Sequence, residues 1–156
     1  MKGGRTAAPE PTAPDVLIVG SGPAGSALAI LLTRRGWSVT MLERASHPRP
    51  KACGECVNPG AVRALARLGM LDTILALRPA RLEGWRLRTE EGHEVDTRFR
   101  PEDGFGLGLR RADLDAALAD EAVRHGACLH EGVAVRTIEL PREPTPALRS
   151  GRDPQR

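Results

Sequence analysis

Residues 15–43 read DVLIVGSGPAGSALAILLTRRGWSVTMLE, and this stretch decides the fold. Val16–Val19 is an unbroken apolar run, the pattern of a parallel strand covered on both faces. Gly20-Ser21-Gly22-Pro23-Ala24-Gly25 follows at once. Ala24, Ala27, Leu28, Leu31 and Leu32 then recur at helical spacing as far as Arg34-Arg35-Gly36. The basic pair suits a helix C-terminus, and the glycine suits its cap. Trp37–Leu42 reads as a second strand that closes on Glu43. Strand, glycine turn, helix and strand make one βαβ unit.

The three glycines of such a turn have separate uses. The first permits the tight turn, the second lets a pyrophosphate approach the backbone, and the third lets the helix pack close to the strand. The helix N-terminus then faces the phosphates with unpaired N–H groups and the positive end of its dipole. Glu43 lies eighteen residues beyond Gly25, where its carboxylate is expected to accept hydrogen bonds from ribose hydroxyls and to repel a 2′-phosphate. The candidate nucleotide contacts are therefore Gly20, Ser21, Gly22, Pro23, Ala24, Gly25, Glu43 and its neighbour Arg44. A bare βα turn would use the same glycines, but the complete unit with its terminal acid favours dinucleotide binding. NAD and the ADP half of FAD ask the same things of this unit, so it does not choose between them.

Outward from this unit, residues 1–14 hold Gly, Pro and Ala without an apolar h-region, and a disordered leader is expected there. Residues 45–60 carry Pro48, Pro50, Gly54, Pro59 and Gly60 and read as a loop. Ala61–Leu68 and Leu71–Leu77 have short helical patterns divided by Gly69. Leu82–Thr89 and Glu94–Phe99 alternate like a hairpin around Glu91-Gly92, and Gly104–Leu109 suggests a further strand. Ala112–His125 is an expected helix, with Leu114, Ala117, Leu118 and Val123 mostly on one face. Ala127–His130 and Val133–Leu140 return to strand patterning, and from Pro141 a Pro/Arg-rich tail shows no periodicity.

With 156 residues, 40% hydrophobic and 28% charged, the chain describes one globular domain. Aromatics are only 3%, which argues against a stacking platform for single-stranded nucleic acid. A net charge of +3 is too small to dictate a polyanionic partner. No apolar run is long enough to cross a bilayer. Three cysteines do not make a disulfide framework, so a reducing, cytoplasmic setting is expected.

Three later segments carry a family resemblance. Arg49-Pro50-Lys51-Ala52-Cys53-Gly54-Glu55-Cys56-Val57-Asn58-Pro59-Gly60-Ala61 resembles the post-fingerprint loop of FAD-dependent oxidoreductases, which often reads K-x-C-G-E before a helix start rich in small residues and proline. This group contains geranylgeranyl reductases, electron-transfer dehydrogenases and aromatic-ring monooxygenases. Arg111-Ala112-Asp113-Leu114-Asp115-Ala116-Ala117-Leu118 is similar to the family's R-x-x-L-D-x-x-L segment, whose arginine commonly lies near the FAD pyrophosphate. Gly126-Ala127 through Glu131-Gly132-Val133-Ala134-Val135 resembles the strand whose backbone meets the adenine. The resemblance implies that Cys53, Gly54, Arg111 and Val135 join the FAD site. It covers roughly residues 15–140, and the family's later D-G and G-D motifs are absent from the sequence. The chain thus reads as the N-terminal part of such an enzyme, with an uncovered apolar sheet edge through which it would associate.

The remaining reactive side chains have plainer readings. Cys53-x-x-Cys56 has the spacing of a redox pair or half a zinc site, but a zinc site would need further ligands from His125, Cys128 and His130. The plainer reading puts Cys53 in the flavin-proximal loop and makes Cys56 incidental, with no metal. Arg110 and Arg111 open a helix, where cations oppose the dipole, and that placement suggests a partner anion. The W-x-W-x-I-P pattern of flavin halogenases is absent. The expectation is an incomplete α/β Rossmann-like FAD/NAD(P)-binding domain, with a partial antiparallel β insertion at about residues 79–110. By resemblance, its reaction is flavin-mediated reduction or monooxygenation of a small or isoprenoid-like molecule, with NAD(P)H or another electron donor. The alternatives are a non-catalytic dinucleotide-binding fragment and an NAD-binding module with a thiol switch at Cys53 and Cys56. No general acid, base or nucleophile is assigned, because flavin carries the chemistry in such enzymes.

Overall fold

A computed structural model describes residues 13–53 and 55–139. The expected leader, apart from residues 13 and 14, and the expected tail lie outside the described residues, as does Gly54. Strand β1 (Val16–Val19) runs through the glycine turn into helix α1 (Pro23–Thr33) and returns as β2 (Val39–Leu42). Pro23 stands in the first turn of α1, where its missing N–H costs no hydrogen bond.

The segment expected to be loop contains a short strand, β3 (Cys56–Val57), and helix α2 (Pro59–Arg67) starts at its end. Asn58 Oδ1 accepts from the Ala61 amide at 2.8 Å, so Asn58 caps α2 and Pro59 opens it. Helix α3 (Leu71–Ala76) follows, then β4 (Ala80–Leu82), β5 (Gly84–Arg88), β6 (Glu94–Arg98), β7 (Gly106–Gly108), α4 (Arg111–Arg124) and β8 (Cys128–His130). The single strand expected over 82–89 is thus two strands divided at Glu83.

Three sheets result. The parallel sheet has the order β1-β2-β8, with Val16 opposite Val39 and Thr40 opposite Cys128. An antiparallel sheet has the order β3-β7-β4, and β5 and β6 form the expected hairpin with Trp85 opposite Thr97. The α/β Rossmann-like architecture with added antiparallel strands is therefore the one observed.

The core lies on one face of the parallel sheet, where α1 and α4 pack. Ile18, Val39 and Met41 point inward, against Ala29 and Ile30 of α1 and Leu118 and Ala122 of α4. Leu17 and Val19 alternate to the other face and are 55% and 52% exposed among the described residues. Among the described residues one face of β1 is therefore uncovered, where the sequence pattern leads one to expect both covered. In α4 the inward positions are Leu114, Leu118 and Ala122, a spacing of four, while Val123 is exposed. The expected strand over 133–140 is not observed in residues 133–139, and Leu140 is outside the described residues. Val133 N donates to Glu43 O at 2.9 Å, but no neighbouring strand among the described residues continues the ladder, and Ile138 is exposed.

Candidate dinucleotide site

The glycine turn sits at the C-terminal end of β1. Gly20 has φ +97°, a conformation glycine adopts without steric cost, and its N–H donates to Leu42 O at 2.8 Å. A Cβ on Gly25 would lie 2.0 Å from Gly20 O and 3.2 Å from Ile18 Cγ2, so α1 approaches β1 only because this position is bare. Gly22 is different. Its φ of −72° suits any residue, and a Cβ there would first meet Arg49 Nη2 at 3.8 Å. Gly22 keeps space open; it does not supply an unusual conformation.

Ser21 is fully buried beneath the turn. Its N–H donates to Glu43 Oε2 at 3.0 Å, and its hydroxyl lies 2.7 Å from His47 Nε2. Ser26 Oγ donates to Ser21 O at 2.9 Å and closes the underside. Pro23 is half-buried and Ala24 exposed. Pro23 has no N–H, and the other first-turn amides of α1 have no intrahelical acceptor, which leaves them to an external anion.

Glu43 is only 4% exposed, with its carboxylate drawn in under the turn. Besides Ser21, the Ala45 amide donates to Oε1 at 3.2 Å, and Arg49 Nη2 stands 3.6 Å from Oε2. Burial would raise its pKa, but the two backbone donors together with the charges of Arg49 and His47 outweigh that and hold it below the usual carboxylate value. The acid expected at a ribose also braces the glycine turn.

Arg49 is the residue that sequence reasoning missed. Its guanidinium lies across the turn, between Glu43 and Asp115 Oδ2 at 3.8 Å, and its side chain is 16% exposed. Both distances exceed a tight charge-assisted hydrogen bond. Arg49 Nε is buried with no hydrogen-bond partner among the described residues. Asp115, fully buried in α4, was also missed as a site residue. It binds Arg111 in a two-pronged pair, Nε to Oδ1 at 2.8 Å and Nη2 to Oδ2 at 3.0 Å. The readable signal for Asp115 was an acid at a core-facing helix position, four residues after an arginine.

The partner anions suggested by the two arginines at the start of α4 are supplied from within the helix. Arg110 is paired with Asp113 at 2.8 Å and Arg111 with Asp115, which raises the pKa of both guanidinium groups. Arg111 Nη1 turns to Cys53 Sγ at 3.6 Å, which brings those two expected residues together. Arg44 is exposed, and Val135 is half-buried in an extended segment. His125 Nε2 is taken up by Glu121 at 3.0 Å and Arg34 at 3.2 Å, in a structural cluster. Beside the turn, a groove of about 490 Å³ runs between α1, α2 and α4. Its walls include Ala27, Leu31, Leu65 and Leu118, with Cys53 and Arg111 also lining it.

The bare Gly22, the α1 amides and the unpartnered Arg49 Nε together fit a pyrophosphate. The sequence matches the FAD binding domain family over residues 13–156. The chain belongs to that family. FAD is thus the expected cofactor met at the level of the family. Among its relatives, squalene monooxygenase of Rattus norvegicus is 34% identical over 142 residues, covering 82% of this chain and 23% of that protein. Menaquinone reductase of Mycolicibacterium smegmatis is 36% identical over 130 residues, covering 80% of this chain and 30% of that protein. The crystal structure of a flavoprotein/dehydrogenase from Cytophaga hutchinsonii superposes with a TM-score of 0.70 at 30% identity, covering 81% of this chain and 32% of that one. The chain spans about a quarter to a third of the length of the relatives it matches. A monooxygenase, a reductase and a flavoprotein/dehydrogenase are thus all similar to this chain.

Proposed function

We propose that these residues form the dinucleotide cradle of an FAD-dependent oxidoreductase. The observation that carries the reading is Arg49 lying across a glycine turn whose middle glycine has no conformational need to be glycine. In this assignment the amides of the Gly22–Gly25 turn and Arg49 hold the pyrophosphate. Glu43 accepts from the adenosine ribose while it keeps Ser21 in place. Arg111 and Cys53 lie toward the flavin, and Val135 toward the adenine. Bound FAD supplies the redox chemistry, as hydride or single-electron transfer, and these residues bind and orient it.

The whole protein's reaction is then reduction or monooxygenation of a small or isoprenoid-like molecule, with NAD(P)H or another electron donor. The names of the rat and mycobacterial relatives support that class. Among the described residues no helix is long and apolar enough to cross a membrane. Three free cysteines suit a reducing compartment, and the cytoplasm is the location we propose. The bare face of β1 at Leu17 and Val19 is the surface through which the chain would associate.

Titration of the 156-residue chain with FAD, FMN and NAD, followed by flavin fluorescence and calorimetry, tests the cradle. FAD should bind, ADP should compete with it, and FMN, which lacks the AMP portion and so the pyrophosphate, should not bind. NAD(P)H oxidation should stay at the level of free FAD. Equal binding of FMN and FAD, or no competition by ADP, would refute the assignment.

A further inference from the structure

The cradle leaves the two cysteines of the 53–56 run without an assigned chemistry, and their surroundings differ sharply. Cys53 is exposed, and its sulfur sits 3.6 Å from the one Arg111 nitrogen that Asp115 does not engage. That hydrogen bond, with a second from the Glu55 amide, holds the Cys53 thiol below its ordinary pKa. Cys56 is half-buried in β3, where burial and the neighbouring Cys53 sulfur push its thiol up. Both side chains line the same 490 Å³ groove. An exposed cysteine with an arginine at its sulfur, three residues before a more shielded cysteine, is the arrangement of an attacking and a resolving thiol.

We propose that Cys53 and Cys56 form a redox-active dithiol whose oxidant is a hydroperoxide, with Arg111 setting the reactivity of Cys53. The Cys53 thiolate attacks one peroxide oxygen. The S–O bond forms, the O–O bond breaks, and the leaving oxygen takes a proton to become water or an alcohol. The Cys56 sulfur then attacks the Cys53 sulfenic acid. The S–S bond forms and the S–O bond breaks, and the hydroxyl leaves as water with the Cys56 proton. Two thiols are oxidised and one peroxide is reduced. In the disulfide Cys53 carries no charge, so Arg111 keeps only its Asp115 carboxylate. None of this requires bound dinucleotide, so its failure is separable from failure of the cradle.

The test uses the 156-residue chain carrying Cys128→Ser, which removes the other exposed thiol. After stoichiometric hydrogen peroxide, intact mass should show the loss of two hydrogens with no added oxygen. Peptide mapping should place the bond between Cys53 and Cys56, and dithiothreitol should reverse it. With Cys56→Ser added, the reaction should stop at a dimedone-reactive Cys53. Iodoacetamide should alkylate Cys53 faster in the folded chain than in urea at pH 7. Arg111→Gln should abolish the difference. If that variant does not fold, the pH profile of alkylation in the Arg111-containing chain decides instead, and Cys53 should titrate lower folded than unfolded. Cys53 that is no more reactive folded than unfolded, or that overoxidises without engaging Cys56, would overturn the proposal.

Discussion

Two neighbouring glycines should respond to substitution in opposite ways. In Gly25→Ala the new methyl would lie 2.0 Å from Gly20 O, where an unstrained carbon–oxygen contact needs about 3.3 Å. Helix α1 would have to retreat from β1 by on the order of 1 Å, and overpacking of this kind costs about 1–3 kcal/mol. Alanine's better helix propensity returns at most about 1 kcal/mol, so the clash decides the sign. In Gly22→Val the backbone is already extended at φ −72°, and the nearest atom to a Cβ is the movable end of Arg49 at 3.8 Å. Stability there should change by less than about 0.5 kcal/mol. Urea unfolding without cofactor measures the first effect, and FAD titration measures the second. Gly25→Ala should lower the unfolding midpoint, whereas Gly22→Val should leave it in place and abolish FAD binding. A Gly25→Ala protein as stable as its parent, or a Gly22→Val protein that binds FAD normally, would refute the division of labour between these glycines.

The other predictions concern the charges. Arg49→Gln should weaken FAD binding by about 1.5–3 kcal/mol, the range for hydrogen bonds to charged groups. Arg110→Gln, at a side chain 73% exposed, should leave titrations unchanged. Asp115→Asn removes the buried partner of Arg111 and should cost about 3 kcal/mol of stability in thermal or urea unfolding. Glu43 has a depressed folded-state pKa, so its stabilising contribution is complete above its unfolded value of 4.5 and is lost as pH falls through the lower folded value. Glu43→Gln should therefore be less stable at neutral pH, with the gap closing in acid. A constant gap between pH 7 and pH 2 would show that Glu43 is not held as described.

The βαβ unit was legible because every level of the sequence agrees there: an apolar run, glycines at fixed intervals, helical spacing and a terminal acid. Local patterns elsewhere misled for identifiable reasons. Val133–Ile138 alternates in a strand-like way, but a strand requires a neighbour, and sequence alternation does not supply one. Strand β3 was hidden among prolines because its pairing with β7 is contributed from about fifty residues away in sequence. The Asn58-Pro59 start of α2 was readable as a cap followed by a first-turn proline, and the density of prolines obscured it. In the site, Gly20, Gly22, Gly25 and Glu43 could be read from spacing. Arg49 could not, since its approach to Asp115 depends on tertiary placement and not on spacing along the chain. Arg110 and Arg111 suggested a partner anion by their place at the start of α4, but each has its carboxylate within the same helix, three and four residues on.

If the Gly22–Gly25 turn and Arg49 together hold a pyrophosphate, ADP and adenosine should perturb different residues. Amide and arginine Nε resonances of the isotopically labelled chain, followed during titration with ADP and separately with adenosine, test it most directly. ADP should shift Ser21, Gly22, Ala24, Gly25 and the Arg49 side chain, and adenosine should leave the Arg49 signal unmoved. Shifts confined to the walls of the apolar groove, or an Arg49 signal indifferent to ADP at saturation, would contradict the account.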